Sequence, residues 1–212
     1  MVDLGVHRVT RTRFGRALYD ALDHLGITGT SMYVYAVELD AADADREPPD
    51  DVALDVVRAS ELDVQPDEDF EDLAESDFVV FARDADARPA PELREADADA
   101  VRGWGFLTLE RPVAVTELAA TVRFDGAYLW HLYVDPEDRG RGLGSALLAS
   151  ALSFAAADRV DAAYALVAKD NVPSQRAFEA RGFDVVDEVA YYRAFAWERR
   201  HGPLHREVEY SL

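Results

Sequence analysis

Two arginines and three glycines stand between Arg139 and Gly144, directly before an apolar pattern of helical spacing over residues 147–154. A strand-like apolar run from Tyr128 to Val134 precedes them and is broken by Asp135-Pro136, since proline lacks a backbone donor. The first turn of a helix leaves N–H groups without partners and carries positive potential, and glycines let phosphate approach the backbone. The order strand, glycine turn, helix therefore predicts an anion site, in which the amides of residues 140–145 would bind a pyrophosphate.

The arginine and glycine spacing distinguishes this loop from other phosphate loops. The dinucleotide fingerprint G-x-G-x-x-G fails because its third glycine would fall on Ser145, and a Walker loop would need a lysine that is absent here. The pattern that fits is R-x-x-G-x-G. It resembles the coenzyme A loop of the GNAT superfamily of N-acetyltransferases, and the preceding LYVDPEDRGRG resembles that family's fourth strand and turn. A simple connecting turn would need neither the arginines nor the third glycine.

A second stretch, NVPSQRAFEARGF from Asn171 to Phe183, resembles the next motif of the same family. Helix capping alone would explain Asn171, Pro173 and Gly182. The two motifs in the right order are more specific than either one. The resemblance covers about residues 52–195.

The resemblance implies acetyl-CoA as co-substrate, with no metal. The backbone of residues 132–134 would pair with the pantetheine arm, and the amides from Arg139 or Gly140 through Ser145 would hold the pyrophosphate. Asn171 would contact the cofactor near the pantetheine. The implied cofactor-binding residues are Leu132, Tyr133, Val134, Arg139, Gly140, Arg141, Gly142, Leu143, Gly144, Ser145, Asn171, Ser174 and Phe178.

The resemblance also implies a catalytic amide, that of Val134, which would polarise the thioester carbonyl. Many family members carry a tyrosine as the acid for the leaving thiolate where this chain has Phe178. A coenzyme thiol with a pKa of about 8.5 leaves reasonably well unaided. The acid is therefore either dispensable or supplied by Tyr191, Tyr192 or Tyr133, and the sequence does not choose between these.

The general base is equally open. Some family members use a glutamate on the fourth strand, but the comparable position here is Tyr128 or Trp130. His131 follows directly and could accept a proton near neutral pH, although a lone histidine in a strand is more often structural. An α-amine with a pKa of about 8 would need no strong base.

The charge is strongly acidic: Asp and Glu number 42 against 22 Lys and Arg, the net charge is −20, and the one lysine is Lys169. Such a surface repels nucleic acid and anionic membranes. It would also repel coenzyme A, so Arg139 and Arg141 would have to supply positive potential locally. The near absence of lysine suggests a halophile-like surface suited to a very salty cytoplasm, in which screening makes self-repulsion tolerable.

Cysteine is absent, and the N-terminus lacks an apolar segment of signal-peptide type. No apolar run is long enough to span a bilayer. These features predict a cytoplasmic protein. The four histidines other than His131 have no metal-ligand spacing, and no G-x-S-x-G stretch suggests a serine hydrolase.

The pattern of elements predicts an α/β (α+β) fold: a GNAT-like mixed, mostly antiparallel sheet flanked by helices. A helix over residues 10–25 and a strand from Ser31 to Leu39 would form an N-terminal extension, residues 1–45. A charged linker with paired prolines separates it from an acetyltransferase domain over residues 52–212. Within that domain, the low-complexity stretch from Asp84 to Ala100 is expected to be an exposed excursion.

Together these observations predict an N-acetyltransferase that acts on a primary amine of a small molecule or of a peptide or protein N-terminus. The amine would attack the thioester directly in a ternary complex. The alternative is a non-catalytic acyl-CoA-binding sensor or interaction module, which Phe178 and the missing carboxylate make worth considering. A third possibility is a purely structural domain that binds no coenzyme. The oligomeric state is open, and a homodimer is possible.

Overall fold

A computed structural model describes residues 27–40, 42, 46–63, 66, 68–109, 111–195, 197–202 and 207–210 of the 212-residue chain. The helix predicted over residues 10–25 lies outside the described residues. The described strands are β1 Ile27–Glu38, β2 Val52–Arg58, β3 Phe78–Asp84, β4 Val101–Thr108, β5 Val113–Val115, β6 Ala120–Phe124, β7 Ala127–Val134, β8 Ala162–Ala168, β9 Asp184–Ala194, β10 Trp197–His201 and β11 Glu207–Tyr210. The described α-helices are α1 Leu143–Ala157 and α2 Val172–Glu179.

Eight strands form the main sheet, in the order β10-β9-β1-β8-β7-β4-β3-β2. Its neighbouring strands are antiparallel except for β7 and β8, which run parallel. A smaller sheet of β11, β6 and β5 lies beside it. The predicted fold, a mixed and mostly antiparallel sheet flanked by helices, is confirmed.

Strand β1 is an internal strand of the main sheet, hydrogen-bonded to β8 on one side and to β9 on the other. Its residues are apolar on both faces because both faces are covered: Val34 is 0% and Tyr35 1% exposed. The pKa of Tyr35 is raised to about 12, mainly by burial and to a smaller extent by the hydrogen bond that its hydroxyl donates to Glu179 of α2. The predicted division into an extension, residues 1–45, and a domain, residues 52–212, stays a prediction.

Each face of the main sheet carries its own core. Helix α1 packs on one face, where Leu143, Leu147 and Leu152 are almost fully buried against strand residues such as Leu129. The small sheet covers part of the other face through residues such as Val113 and Phe124. The alternation of side chains along β7 sends consecutive residues to opposite cores.

The stretch from Asp84 to Ala100, expected to be an exposed excursion, is largely exposed but is anchored on the sheet by two buried residues. Ala90 and Leu93 are 0% exposed and pack with Val57 and Phe81 in a third cluster. The backbone N–H of Ala90 donates to Asp55, 3.1 Å away. Burial of these two apolar residues among many charged ones therefore helps to hold the stretch on the sheet.

Among the described residues, no helix is long and apolar enough to cross a membrane.

Candidate functional site

The main sheet opens where its two parallel strands separate. Residues 127–129 of β7 pair with residues 163–165 of β8, and the pairing stops there. Beyond it, the register between β7 and β4 shifts by one residue, and His131 has a positive φ of 49°. An extra residue in one strand of an antiparallel pair is a β-bulge, which bends the strand and increases its twist. The bulge therefore coincides with the opening.

A cavity of about 460 Å³ lies in this opening and is lined from both faces of the sheet. Strands β7 and β8 supply its walls, the α2 region closes one end, and the β5 region closes the other. The residues that line it are Met32, Asp72, Val113, Ala114, Val115, Thr116, Glu117, Tyr128, Leu129, Trp130, His131, Leu132, Leu166, Val167, Ala168, Asn171, Ser174 and Phe178.

The backbone of β7 directs polar groups into the opening. The N–H of Asp135 donates to the carbonyl oxygen of Arg102 in β4, 2.9 Å away. Because N–H and C=O groups alternate sides along a strand, those of Val134 point away from β4, towards the opening. The Val134 carbonyl oxygen accepts a 3.0 Å hydrogen bond from Nε of Arg139. The Val134 amide, predicted to polarise a carbonyl, thus faces the side where β7 and β8 separate.

The glycine loop follows β7 and leads into α1. Gly140 and Gly142 have φ values of 80° and 87°, which favour glycine, and Gly142 is the N-cap of α1 and offers no capping side chain. The backbone at Gly144 does not require glycine, because a Cβ added there would meet only Cγ2 of Val134 at 3.6 Å, an ordinary contact. The first amides of α1, from Leu143 onward, therefore lie close to the end of β7.

Arg141 of this loop is held by two carboxylates. Its guanidinium nitrogens bind Asp138, which is 3% exposed, and Asp51 of the segment before β2. Burial alone would raise the pKa of Asp138, but hydrogen bonds from Arg102 and Arg141 outweigh it and hold that pKa below its usual value. The hydrogen bond from Arg141 likewise lowers the pKa of Asp51. The sequence predicted Arg141 as a local positive charge for the cofactor, whereas here its side chain ties the loop to the preceding segment.

The second motif forms α2, and its capping is as the sequence predicts. The Asn171 side chain accepts a hydrogen bond from the Ser174 backbone N–H, 3.4 Å away. Phe178 is 4% exposed and packs between Tyr35 and Phe183, with ring centroids 6.2 and 5.1 Å away. All three residues of this motif named as cofactor-binding, Asn171, Ser174 and Phe178, line the cavity.

The candidate catalytic side chains are divided. His131 lines the cavity, with its ring 5.2 Å from that of Trp130. Tyr191 is buried beneath the guanidinium of Arg200, and Tyr192 is 38% exposed beside Gly29; neither lines the cavity. Tyr133 stacks on Trp104 at 4.3 Å and is also absent from the lining. The roles predicted for these tyrosines stay predictions.

Sequence reasoning missed several residues of the cavity wall. Asp72, from the segment before β3, and Glu117, from the turn between β5 and β6, bring carboxylates to the wall, and none of the described lining residues is a lysine or arginine. Burial and the nearby charge of Glu117 raise the pKa of Tyr128. No spacing in the sequence connects these positions, because they meet only through tertiary packing.

Metal ligands do not gather in the part of the chain that the structure describes: it contains no group of three or more His, Cys, Asp and Glu side chains placed to hold an ion.

The site thus combines an opening between two parallel strands, a strand amide directed into it and a glycine loop at a helix N-terminus. Residues 62–183, more than half of the chain, match the model of the Acetyltransferase (GNAT) family. The chain belongs to this family.

Comparison with solved structures gives matches of low sequence identity. A Drosophila protein aligns with 15% identity and a TM-score of 0.51, over 91% of this chain and 58% of its own. A tandem GNAT protein from the clavulanic acid biosynthesis pathway has 17% identity and a TM-score of 0.49, over 90% and 60%. A GCN5-related N-acetyltransferase from Sphaerobacter thermophilus has 13% identity and a TM-score of 0.47, over 90% and 57%.

The chain therefore spans less than two thirds of the length of these three structures. By sequence, no curated protein matches it.

Proposed function

We propose that this protein transfers the acetyl group of acetyl-CoA to a primary amine of a small molecule or of a peptide or protein N-terminus. The observation that supports the proposal is the opening where β7 and β8 separate, towards which the Val134 N–H is directed, followed along the chain by the glycine loop at the N-terminus of α1. Membership of the family supports acetyl transfer in general. Family membership does not specify the amine acceptor or the mechanism, and both belong to this proposal.

The backbone groups of Leu132 and Val134 that face the opening pair with the pantetheine arm as an added strand would. The amides of residues 140–145 hold the pyrophosphate at the N-terminus of α1. Arg139 adds charge there through its side chain, and Arg141 contributes its backbone amide. Asn171 and Ser174 lie along the pantetheine, and the Phe178 ring bounds the same end of the cavity.

The reaction is a direct attack within a ternary complex. The amine nitrogen forms a bond to the thioester carbon, and the Val134 N–H stabilises the negative charge that develops on the carbonyl oxygen. The C–S bond then breaks, and the thiolate leaves without a proton from Phe178, since a thiol pKa of about 8.5 makes it a good leaving group. The amine proton passes to water or to His131. Holding the two reactants together contributes about 7–11 kcal/mol.

The cavity wall favours a cationic acceptor. The charged side chains that line it are carboxylates, those of Asp72 and Glu117, and the whole chain carries a net charge of −20. A protonated amine would be attracted into such a cavity, whereas an anionic acceptor would be repelled.

The test is acetyl-CoA binding by calorimetry, for the wild type, Gly144→Glu and Gly144→Ala. The backbone at Gly144 is helical and accepts a side chain, and an acidic residue in a first helical turn favours the helix. We therefore expect all three proteins to fold. A carboxylate beside the pyrophosphate should weaken acetyl-CoA binding by about 100-fold or more, equivalent to two steps of 1.4 kcal/mol, whereas Gly144→Ala should bind within a few fold of the wild type.

Turnover is then measured as release of coenzyme thiol over a panel of cationic and neutral amines. Release that depends on an amine supports the proposal. Tight binding without turnover of any amine would favour the alternative, a non-catalytic acyl-CoA-binding module. Absence of acetyl-CoA binding by the wild type would overturn both.

A further inference from the structure

An arginine from outside the family region lies against the glycine loop. A Cβ added to Gly142 would lie 2.7 Å from Nη2 of Arg46, 3.6 Å from its Cζ and 3.7 Å from its Nε. The Arg46 guanidinium therefore covers the N-cap of α1 from the side that a side chain would occupy. Arg46 precedes residues 62–183, the part of the chain that matches the family model. The sequence alone places Arg46 in a charged linker and predicts no role for it.

The segment that carries Arg46 is anchored at its other end. Asp51 binds Arg141 through its carboxylate and accepts a 2.9 Å hydrogen bond from the Ala85 N–H through its carbonyl oxygen. The N–H of Val52 donates to the carbonyl oxygen of Pro49, also at 2.9 Å. Two consecutive prolines at positions 48 and 49 restrict the backbone between this anchor and Arg46. The backbone between this anchor and Arg46 is thus short and conformationally restricted.

The two arginines of the glycine loop, Arg139 and Arg141, already have partners within the protein. Asp51 and Asp138 neutralise Arg141, and Nε of Arg139 is engaged with the Val134 carbonyl oxygen. Within the described part of the chain, Arg46 forms no ion pair with a carboxylate. A guanidinium presents planar donors that match phosphate oxygens, so a phosphate seated on the loop amides would meet it directly.

We propose that Arg46 binds the pyrophosphate of the coenzyme, together with the amides that follow Gly142. The inference rests on the proposed function and adds to it a ligand-binding residue supplied by the segment before β2. In this arrangement Arg141 is a positioning residue: by holding Asp51 it fixes the segment that delivers Arg46. A thioester that contains the pyrophosphate, such as acetyl-CoA, is therefore bound more tightly than one that lacks it, such as S-acetylpantetheine, whatever the acyl group is.

The test compares Arg46→Gln and Arg46→Lys with the wild type, and Arg159→Gln as the matched control. Arg159 is an exposed arginine just beyond the C-terminus of α1, at the opposite end of this helix, so its replacement removes the same charge far from the loop. Three probes are titrated calorimetrically: acetyl-CoA, its analogue without the 3′-phosphate, and S-acetylpantetheine, which lacks all phosphates.

We expect Arg46→Gln to weaken acetyl-CoA and the 3′-dephospho analogue by the same factor, about 10- to 100-fold, as for loss of a hydrogen bond to a charged group. Arg46→Lys should fall between this variant and the wild type, and S-acetylpantetheine should be unaffected. Arg159→Gln should bind every probe as the wild type does.

Two results would overturn the inference while leaving the proposed function intact. One is binding of acetyl-CoA by Arg46→Gln as tight as by Arg159→Gln. The other is a loss confined to acetyl-CoA and absent for the 3′-dephospho analogue, which would place Arg46 on the 3′-phosphate. If the wild type binds no acetyl-CoA, the proposed function itself has failed.

Discussion

Trp130, a wall of the cavity, is oriented by a chain of buried hydrogen bonds. Its indole N–H donates to Oγ1 of Thr108 over 3.0 Å, and the Thr108 hydroxyl donates to Oδ1 of Asp77 over 2.9 Å. Thr108 is 2% and Asp77 1% exposed, and Arg111 completes the shell of the carboxylate. The Thr108 hydroxyl thus links the buried Asp77, just before β3, to the Trp130 ring that forms part of the cavity wall.

Replacing this link should destabilise the protein. Thr108→Val keeps the shape of the side chain but removes both hydrogen bonds, so we expect a loss of about 1–3 kcal/mol in the free energy of unfolding, measured by urea titration. Thr108→Ser keeps the hydroxyl and is the control, expected to lose less. A valine variant as stable as the serine variant would show that the network contributes nothing to stability.

At the scale of elements, the bulge in β7 lies where the sheet opens. It requires a left-handed backbone at His131, whose φ is 49°, and so breaks the register with β4 just beyond the last β7–β8 pair. The same stretch carries the amide that we propose for catalysis. The geometry of the site therefore depends on one backbone conformation that most residues disfavour.

Substitutions at His131 test this dependence. Glycine adopts a left-handed conformation readily, so His131→Gly should keep the free energy of unfolding within about 1 kcal/mol of the wild type. His131→Val places a β-branched residue there and should lose roughly 1–2 kcal/mol more than glycine does. Equal stability of the two variants in denaturant titrations would contradict the strained conformation.

The His131→Gly variant also tests whether His131 is the general base. If kcat/KM of His131→Gly retains its wild-type pH profile, proton transfer does not pass through the imidazole. Disappearance of the acid limb of that profile would assign the base to His131.

For the whole molecule, we expect the excess of acidic residues to make stability depend on salt. The chain has 42 acidic against 22 Lys and Arg side chains, and several of its arginines, among them Arg83, Arg102 and Arg111, already serve ion pairs with aspartates. The remaining carboxylates repel one another through solvent. That repulsion is screened over about 10 Å at 0.1 M salt and over about 3 Å at 1 M.

We therefore expect the melting temperature to rise by at least about 5 °C between 0.05 and 2 M KCl, or roughly 2 kcal/mol for a chain of this size. Calorimetric melting in a KCl series measures it. A series in sucrose is the control, because this osmolyte favours burial without screening charge. A melting temperature independent of KCl would reject the halophile-like interpretation of the surface.

Much of the fold and the position of the glycine loop could be predicted from the sequence alone. The strand predicted from Ser31 to Leu39 overlaps β1, Ile27–Glu38, and helix α1 follows the glycines as expected. These features are encoded locally, in hydrophobic periodicity, in proline and glycine positions and in helix caps, so that a window of a few residues suffices to identify them.

Tertiary structure alone decided which distant segments meet. It placed β1 between β8 and β9, buried Leu93, paired Arg141 with Asp51 and set Arg46 against Gly142. It also kept Tyr191 and Tyr192 out of the cavity lining and brought Glu117 into it. Such contacts depend on how sheets and loops pack across the whole chain, and no periodicity or spacing records them, because the free energy that selects them comes from long-range burial and charge pairing.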